Sequence, residues 1–283
     1  ISFHVKATRR IFDALHSQHE VLSPTIVPKM IRSAELSPQG DAVVFEALGN
    51  IWIRPLPNGK PRRLTKQNDH REAYPSFSRD GKRIVYVSWD DASLGSIRIV
   101  NTSGGEGRSV SKAAGRYIQP VFAHDGSRIV YVSVSGSALV SGAQSREHGL
   151  YVMSLADGQT RRLSKEGSRP HFGAELDRVY FMTVNTEGKE DVRSLKSVRL
   201  DGSEERTHAV SDEATEFRVS PDGRWLAFRE NFNAHLIAFP RGAKMLSASP
   251  EQKALPIARL SQDSGAWISF TADSKRVAWT SGS

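Results

Sequence analysis

Six stretches of this chain align without gaps: "ELSPQGDAVVF" (Glu35 to Phe45), "SFSRDGKRIVY" (Ser76 to Tyr86), "VFAHDGSRIVY" (Val121 to Tyr131), "HFGAELDRVYF" (His171 to Phe181), "RVSPDGRWLAF" (Arg218 to Phe228) and "SFTADSKRVAW" (Ser269 to Trp279). No other feature narrows the fold as much. A repeat of about 20–50 residues marks a supersecondary unit that cannot bury its apolar face alone and must stack on its neighbours. In the turn-glycine column (Gly40, Gly81, Gly126, Leu176, Gly223, Ser274) the spacings are 41, 45, 50, 47 and 51 residues. Each copy reads as strand, tight turn, strand: glycine takes positive φ at no steric cost, and alternating β-branched and aromatic residues follow. Leu176 and Ser274 break the glycine rule, so the fourth and sixth turns are expected to be distorted or of another type. A third strand follows in "NIWIRPL", "SIRIVNT", "LYVMSLADG", "SVRLDG" and "HLIAFPRG", and a fourth in "PRRLT", "GRSVS", "TRRLS", "THAVS" and "IARLS". Four antiparallel strands in about 47 residues are the blade of a β-propeller.

The sequence therefore predicts an all-β, six-bladed β-propeller of four-stranded antiparallel blades. The sixth unit ends after its second strand. Residues Ile1, Phe3, Val5 and Ala7 alternate with Ser2, His4, Lys6 and Thr8, and a short extended stretch lies around Thr25 to Val27. The expectation is that these N-terminal strands complete the last blade and close the ring. Residues 1–30 then serve as closing strands and connector, in one structural domain with the repeats of 31–283. Between the two strands, "RRIFDALHSQ" is expected to form a helical turn or two, with Ile11, Phe12 and Leu15 on one face.

Composition agrees with a globular chain: 283 residues, 38% hydrophobic, 39 Lys+Arg against 31 Asp+Glu, and a formal charge of +8. At this length a domain removes roughly three quarters of its unfolded surface from water, so no staple is needed. With no cysteine, disulfides, thiolate nucleophiles and iron–sulfur clusters are excluded. No apolar run approaches the roughly 18 residues of a membrane helix, so no membrane span is expected. The start at Ile1, without a basic-then-apolar leader, is read as a processed or trimmed product.

The repeat resembles that of the TolB-like β-propellers, which carry "SPDG" before an apolar strand and later "G", two or three residues, and "LT". "SPDG" stands intact at Ser220 to Gly223, "SPQG" at Ser37 to Gly40, "SRDG" at Ser78 to Gly81 and "PRRLT" at Pro61 to Thr65. The resemblance covers about residues 31–283 and is built from turn and core positions, so it speaks for fold more than function. Similar propellers occur in TolB, in tricorn-type proteases, ahead of prolyl oligopeptidase hydrolase domains, and in large bacterial proteins with an amidohydrolase domain. "IRSAELSPQGDAVVFEALGNIWIRPLPNGKPRRLT" looks most like the last, which implies one part of a longer polypeptide and a bacterial periplasmic or otherwise extracytoplasmic location.

Propeller geometry places the connections between strands one and two, and three and four, on one face, and the remaining connections on the other. The first set is short and glycine-bearing. The second holds the variable loops Val134 to His148, Trp89 to Gly95, Asn185 to Arg193 and Glu230 to Asn233, where recognition on a rigid scaffold usually resides. On the first strands, the apolar anchors are Leu36, Phe77, Phe122, Phe172, Val219 and Phe270, expected to be buried between blades. The column Ala34, Pro75, Pro120, Pro170, Phe217 and Ile268 is also read as core. The neighbouring columns are polar for an inner strand: Ser33, Tyr74, Gln119, Arg169, Glu216 and Trp267, then Glu35, Ser76, Val121, His171, Arg218 and Ser269. From them, with the strand starts, the predicted ligand or partner site at the channel mouth comprises Arg32, Glu72, Tyr74, Arg116, Tyr117, Arg169, His171, Glu216, Arg218 and Trp267. The competing reading is that Arg169, Glu216 and Arg218 form ion pairs that hold blades together, which perturbs titration without doing chemistry.

Catalytic motifs are missing from the string. There is no G-x-S-x-G elbow, no H-x-H pair among nine histidines, no P-loop and no G-x-G-x-x-G. His16 and His19 have a helical spacing that could reach one metal, and Asp90 with Asp91 could meet calcium, but a surface pair and a solvated turn explain them more simply. No catalytic residue, cofactor or metal is expected. Arg62, Arg63, Arg161, Arg162 and Arg259 recur in the outermost strand, where cations discourage edge-to-edge pairing; spread around a rim, they do not make a nucleic-acid surface. The resulting expectation is a non-catalytic binding or substrate-gating module, with a protein or peptide partner or a covalently linked hydrolase domain. Its rivals are a free-standing TolB-like interaction protein and a propeller enzyme with a site at the channel mouth.

Overall fold

The computed structural model describes residues 1–12, 28, 30–134, 148–186, 191–240, 242 and 245–281. Blade 1 is β1 (Arg32–Leu36), β2 (Ala42–Ala47), β3 (Asn50–Pro55) and β4 (Arg62–Arg63); blade 2 is β5 (Arg71–Phe77), β6 (Arg83–Asp90), β7 (Leu94–Asn101) and β8 (Arg108–Ser109). Blade 3 is β9 (Tyr117–Phe122), β10 (Arg128–Ser133), β11 (Gly149–Ser154) and β12 (Thr160–Ser164). Blade 4 is β13 (Ser168–Phe172), β14 (Arg178–Asn185), β15 (Val192–Arg199) and β16 (Arg206–Ser211), extended by β20 (Leu246–Ser247), which pairs parallel to β16. Blade 5 is β17 (Glu216–Val219), β18 (Trp225–Glu230), β19 (Asn233–Ala238) and β21 (Ile257–Arg259), and a two-stranded sheet, β22 (Ala266–Phe270) with β23 (Val277–Thr280), follows.

Among the described residues, five units therefore reach four strands and the sixth has two. This corrects the expectation of six complete blades. Residues 1–12 form no strand and are exposed, so Ile1 to Arg9 does not pair with β23. The alternation at the N-terminus was a local pattern; an extended solvated segment can carry it as well as a strand, and it names no pairing edge. The stretch around Thr25 to Val27, and most of the expected helical turns including Leu15, lie outside the described residues.

In four of the predicted turns a hydroxyl and a carboxylate organise the bend. Ser78, Ser220 and Thr271 donate at 2.6 Å to Asp80, Asp222 and Asp273 two residues on, and each hydroxyl accepts a backbone N–H five residues on, from Arg83, Trp225 and Arg276. In "SPQGD" the carboxylate has moved to Asp41, which Ser37 reaches at the same 2.6 Å. Gly40, Gly81, Gly126 and Gly223 take φ between 64° and 74°. Ser274 takes φ 59° in the same place and donates its N–H to Thr271 O as Gly40 does to Ser37 O, so the sixth turn keeps its geometry against expectation. Its neighbouring hydrogen bonds over-determine a conformation that serine alone disfavours. The fourth turn, at Leu176, does differ: no left-handed residue stands there.

Apolar packing divides into six clusters, one per junction between consecutive units. Blades 4 and 5 share twelve buried residues around Phe217, Phe228 and Leu226, whereas the two junctions flanking the β22–β23 sheet hold three each, Ala34, Phe45, Ala47 and Ala227, Ala234, Ile268. The core column is as read: Ala34, Pro75, Pro120, Pro170, Phe217 and Ile268 are all buried. Among the phenylalanine anchors, Phe77 and Phe122 are buried while Phe172 and Phe270 are half-buried, and all four border the tight-turn half of the central channel. Outer-strand arginines also act between blades: Arg62 donates to Thr102 O at 2.6 Å and Arg161 to Asp201 O at 3.2 Å.

Truncating Phe122 to Ala should cost about 3–5 kcal/mol, the usual range for a buried phenylalanine, and the same change at the half-buried Phe270 should cost less; chemical denaturation of both variants measures this. Backbone amides of β22 and β23 should exchange with deuterium faster than those of β17 and β18, and equal protection would contradict the ranking of the junctions.

Candidate functional site: the central channel

A β-bulge recurs in the inner strand. Ser33, Tyr74, Gln119, Arg169 and Trp267 have φ between 49° and 55°, and the register with the second strand slips at these places in β1, β5, β9, β13 and β22. Left-handed backbone is unfavourable for side chains of this size, so the repetition reflects a demand of the architecture. The extra residue breaks the strict alternation of faces, and members of both polar columns line one channel. Blade 5 does without the bulge, since Glu216 pairs in unbroken register with Arg229.

The channel has two halves. Toward the variable loops, Ser33, Tyr74, Gln119, Arg169, Glu216 and Trp267 line it; toward the tight turns, Phe77, His124, His171, Phe172 and Phe270 do, and Glu35, Ser76 and Arg218 are common to both. Five of the ten predicted site residues, Tyr74, Arg169, Glu216, Arg218 and Trp267, are thus brought together at the predicted end. His171 lies on the wall of the opposite half. Arg32 and Arg116 are exposed away from these walls, Tyr117 packs edge-on against Tyr131 at 5.3 Å, and Glu72 is buried between blades 1 and 2, where it accepts from Ile51 N–H at 3.0 Å and Thr65 Oγ1 at 2.5 Å. Proximity in sequence to the inner columns thus did not carry these four into the channel wall.

Most polar groups in the wall are engaged with the next unit's backbone. Glu35 accepts from Phe77 N–H at 2.9 Å and from Ser76 Oγ at 3.2 Å; Gln119 accepts from Arg169 N–H at 2.7 Å. His171 Nδ1 donates to Arg169 O at 3.1 Å, and its Nε2 accepts from Val219 N–H at 3.0 Å. Glu216 accepts from Trp267 and Ile268 N–H at 3.1 and 2.9 Å, Arg218 Nε donates to Ile268 O at 3.0 Å, and Ser269 Oγ accepts from Leu36 N–H at 3.1 Å. Five of the six junctions carry such a latch. Glu35 and Gln119 were visible as members of the polar columns and were passed over as site residues; their position in the repeat was the available signal.

Electrostatics follows from this burial. Desolvation, then the Arg218 guanidinium, holds His171 down to about 3, so it is neutral, as its paired donor and acceptor roles require. Desolvation pushes Glu35 up, and Arg218 opposes that. Arg169 stands apart: its guanidinium lies 3.5 Å from Glu216 Oε2 and 5.3 Å from the centre of the Trp267 ring, with 27% of the side chain exposed. Among the described residues, no three His, Asp or Glu side chains converge as a metal-binding group, and no helix is long and apolar enough to cross a membrane. Asp90 accepts from Ala92 N–H and Ser93 N–H, closing its own turn; His16 and His19 lie outside the described residues.

Residues 3–121 match the family model described as the dipeptidyl peptidase IV (DPP IV) N-terminal region. No curated protein matches the sequence. Among solved structures, the putative TolB from Agrobacterium tumefaciens is 15% identical, with 75% of this chain and 77% of that one covered and a TM-score of 0.61. TolB from Acinetobacter baumannii is 17% identical over 74% of this chain and 51% of that one, at 0.55, and the tricorn protease 12% identical over 89% and 27%, at 0.56. The chain thus spans about half of the second and about a quarter of the third. At these identities the likeness shows the fold.

Because His171 binds no proton in the folded state until about pH 3 but does so near 6.5 when unfolded, its contribution to stability is present above 6.5 and is lost as pH falls toward 3. His171→Gln should therefore flatten the fall in melting temperature between pH 7 and pH 4. A slope identical to wild type would show that His171 does not carry it.

Proposed function

We propose that this TolB-like β-propeller is a non-catalytic binding or substrate-gating module, part of a larger bacterial extracytoplasmic hydrolase, and that it receives a protein or peptide partner at the loop-rich end of its channel. The observation that carries the reading is the cluster of Arg169, Trp267 and Tyr74. Neighbouring wall groups are committed to the backbone of the next blade, while the Arg169 guanidinium is partly exposed beside an indole face. Arginine with tryptophan and tyrosine combines charge-assisted hydrogen bonding with rigid apolar area, the composition in which binding energy concentrates. A peptide or carboxylate-bearing group suits it. The extracytoplasmic location is supported by the TolB neighbours, and the hydrolase context by the match of residues 3–121 to a peptidase N-terminal region.

On this reading the module selects at the rim of its channel, because the polar groups of the wall are largely engaged with neighbouring blades.

Panning a displayed random-peptide library against the chain, then measuring the selected peptides against Arg169→Ala and Trp267→Ala, tests the proposal. Glu216 keeps two backbone donors when Arg169 is removed, so that variant should fold. Each substitution should weaken binding by at least tenfold, and unchanged affinity in both would place recognition elsewhere.

A further inference from the structure

The half of the channel that faces the tight turns lies away from Arg169 and is lined differently. Phe77, Phe122, Phe172 and Phe270 border a cavity of about 140 Å³ there, and the last two are only half-buried. A cavity of about 150 Å³ with apolar walls holds one benzene ring. Two cations share the space with these rings. Arg218 Nε is committed to Ile268 O at 3.0 Å, and Glu35 acts on the guanidinium as a charge across the channel while taking its own hydrogen bonds from Phe77 N–H and Ser76 Oγ. Among the described residues, Arg218 Nη1 and Nη2 have no hydrogen-bond acceptor. Exposed Arg79 also lines the cavity; its Nη1 donates to His124 Nδ1 at 2.6 Å, and no carboxylate pairs with it among the described residues. The histidines of this wall are neutral. His124 accepts from Arg79 at Nδ1 and donates from Nε2 to Gly173 O at 2.9 Å, and burial, then the Arg79 charge, lowers its pKa. His171 has one nitrogen donating and the other accepting. Two guanidinium charges therefore face one carboxylate, that of Glu35.

We propose that the tight-turn half of the channel binds a small aromatic carboxylate, with its ring among the four phenylalanines and its carboxylate on the terminal nitrogens of Arg218. The two Nη groups of a guanidinium present parallel donors that match the two oxygens of a carboxylate. A carboxylate suits this cavity better than a phosphate: one negative charge balances the excess of one guanidinium over the single acid, and the remaining wall is largely apolar, so a second charge would be desolvated without a partner. The ring replaces water against aromatic surface, where edge-to-face contacts add to the gain from burial. Arg79, exposed at the tight-turn end, attracts the anion toward the opening. Such a ligand takes only the donors that the blade junctions leave over. Arg218 keeps its bond to Ile268 O, and Glu35 keeps its bonds to Phe77 and Ser76. This site is separate from the loop-rich end, so either can be occupied whether or not the other is.

The probe is benzoate, titrated into the full chain by calorimetry, with benzyl alcohol as its neutral counterpart and acetate as a carboxylate without a ring. Benzoate should bind one-to-one with a Kd of about 1 mM or tighter, within reach of about nine heavy atoms, and raise the melting temperature as mass action requires. Each control compound should bind at least tenfold more weakly. Arg79→Gln removes an exposed side chain and one bond to His124, so it should fold, and it should weaken benzoate about threefold. Arg116→Ala, which removes the same charge outside the channel wall, should leave affinity unchanged. Arg218→Met should weaken benzoate at least tenfold. Because that variant also loses the bond to Ile268 O, a benzoate-soaked crystal of the wild type gives a second readout, with the carboxylate expected within hydrogen-bond distance of Arg218 Nη1 and Nη2. The site would be overturned by benzyl alcohol or acetate binding as tightly as benzoate, by no saturation at about 10 mM, by equal affinity in Arg79→Gln and Arg116→Ala, by undiminished affinity in a folded Arg218→Met, or by benzoate lying elsewhere in the crystal.

Discussion

The inner strand of every blade is a sheet edge, and an edge leaves backbone N–H groups without ladder partners. Around a narrow channel these groups are largely screened from water, and an unpaired buried N–H costs about as much as a lost hydrogen bond. The chain answers with side-chain acceptors on the preceding unit: Glu35 for Phe77, Gln119 for Arg169, His171 for Val219, Glu216 for Trp267 and Ile268, Ser269 for Leu36. Polarity in the inner columns is thus an architectural requirement. It is met by glutamate, glutamine, histidine or serine according to the junction because only an acceptor of the right reach is needed, which is why the columns look heterogeneous in sequence while doing one job.

The bulge bears on the same requirement without being demanded by it, since Glu216 reaches Trp267 and Ile268 from an unbroken strand. Where it occurs, two successive side chains leave the strict alternation of a strand, and an acceptor can aim sideways while an apolar neighbour stays in the interface. Placing Ser33, Tyr74, Gln119, Arg169 and Trp267 in left-handed backbone does that at a conformational cost that only tight packing sustains. Large apolar clusters at the junctions from blade 1 through blade 5 supply it. At the two junctions beside the β22–β23 sheet, where the apolar clusters are smallest, polar contacts are dense: Glu216 binds two N–H groups, Arg218 one carbonyl, Ser269 one N–H, and Arg276 reaches Gln39 O at 2.8 Å. Hydrogen bonds there compensate for missing hydrophobic area.

How far the sequence was legible follows from which interactions are local. Strands and turns were readable because Ser-x-Asp-Gly chemistry and period-two alternation act within a dozen residues, and the core column was readable because it repeats. Blade completeness was not, since the pattern of Ile1 to Ala7 does not say what it pairs with. Nor was the bulge: no residue type marks it, and serine, tyrosine, glutamine, arginine and tryptophan all occupy it. Glu72 illustrates the same limit in the site. At the start of β5 it is indistinguishable by sequence from a channel residue, yet its carboxylate is bound to Ile51 and Thr65 of the neighbouring blade.

These constraints leave few groups available for recognition. An acceptor bound to a neighbour's N–H can take a ligand only by loosening a junction, so Glu35, Gln119, His171 and Glu216 are poor candidates in spite of their polarity. Arg169 differs because its place in the latch uses its backbone N–H, bound by Gln119, while its guanidinium leans on Glu216 and Trp267 at distances long enough to give way. One residue therefore serves the architecture with its main chain, and the proposed recognition draws only on its side chain. In a propeller whose wall is held together by polar bonds, that separation allows a binding group to be exchanged without unfastening the blades.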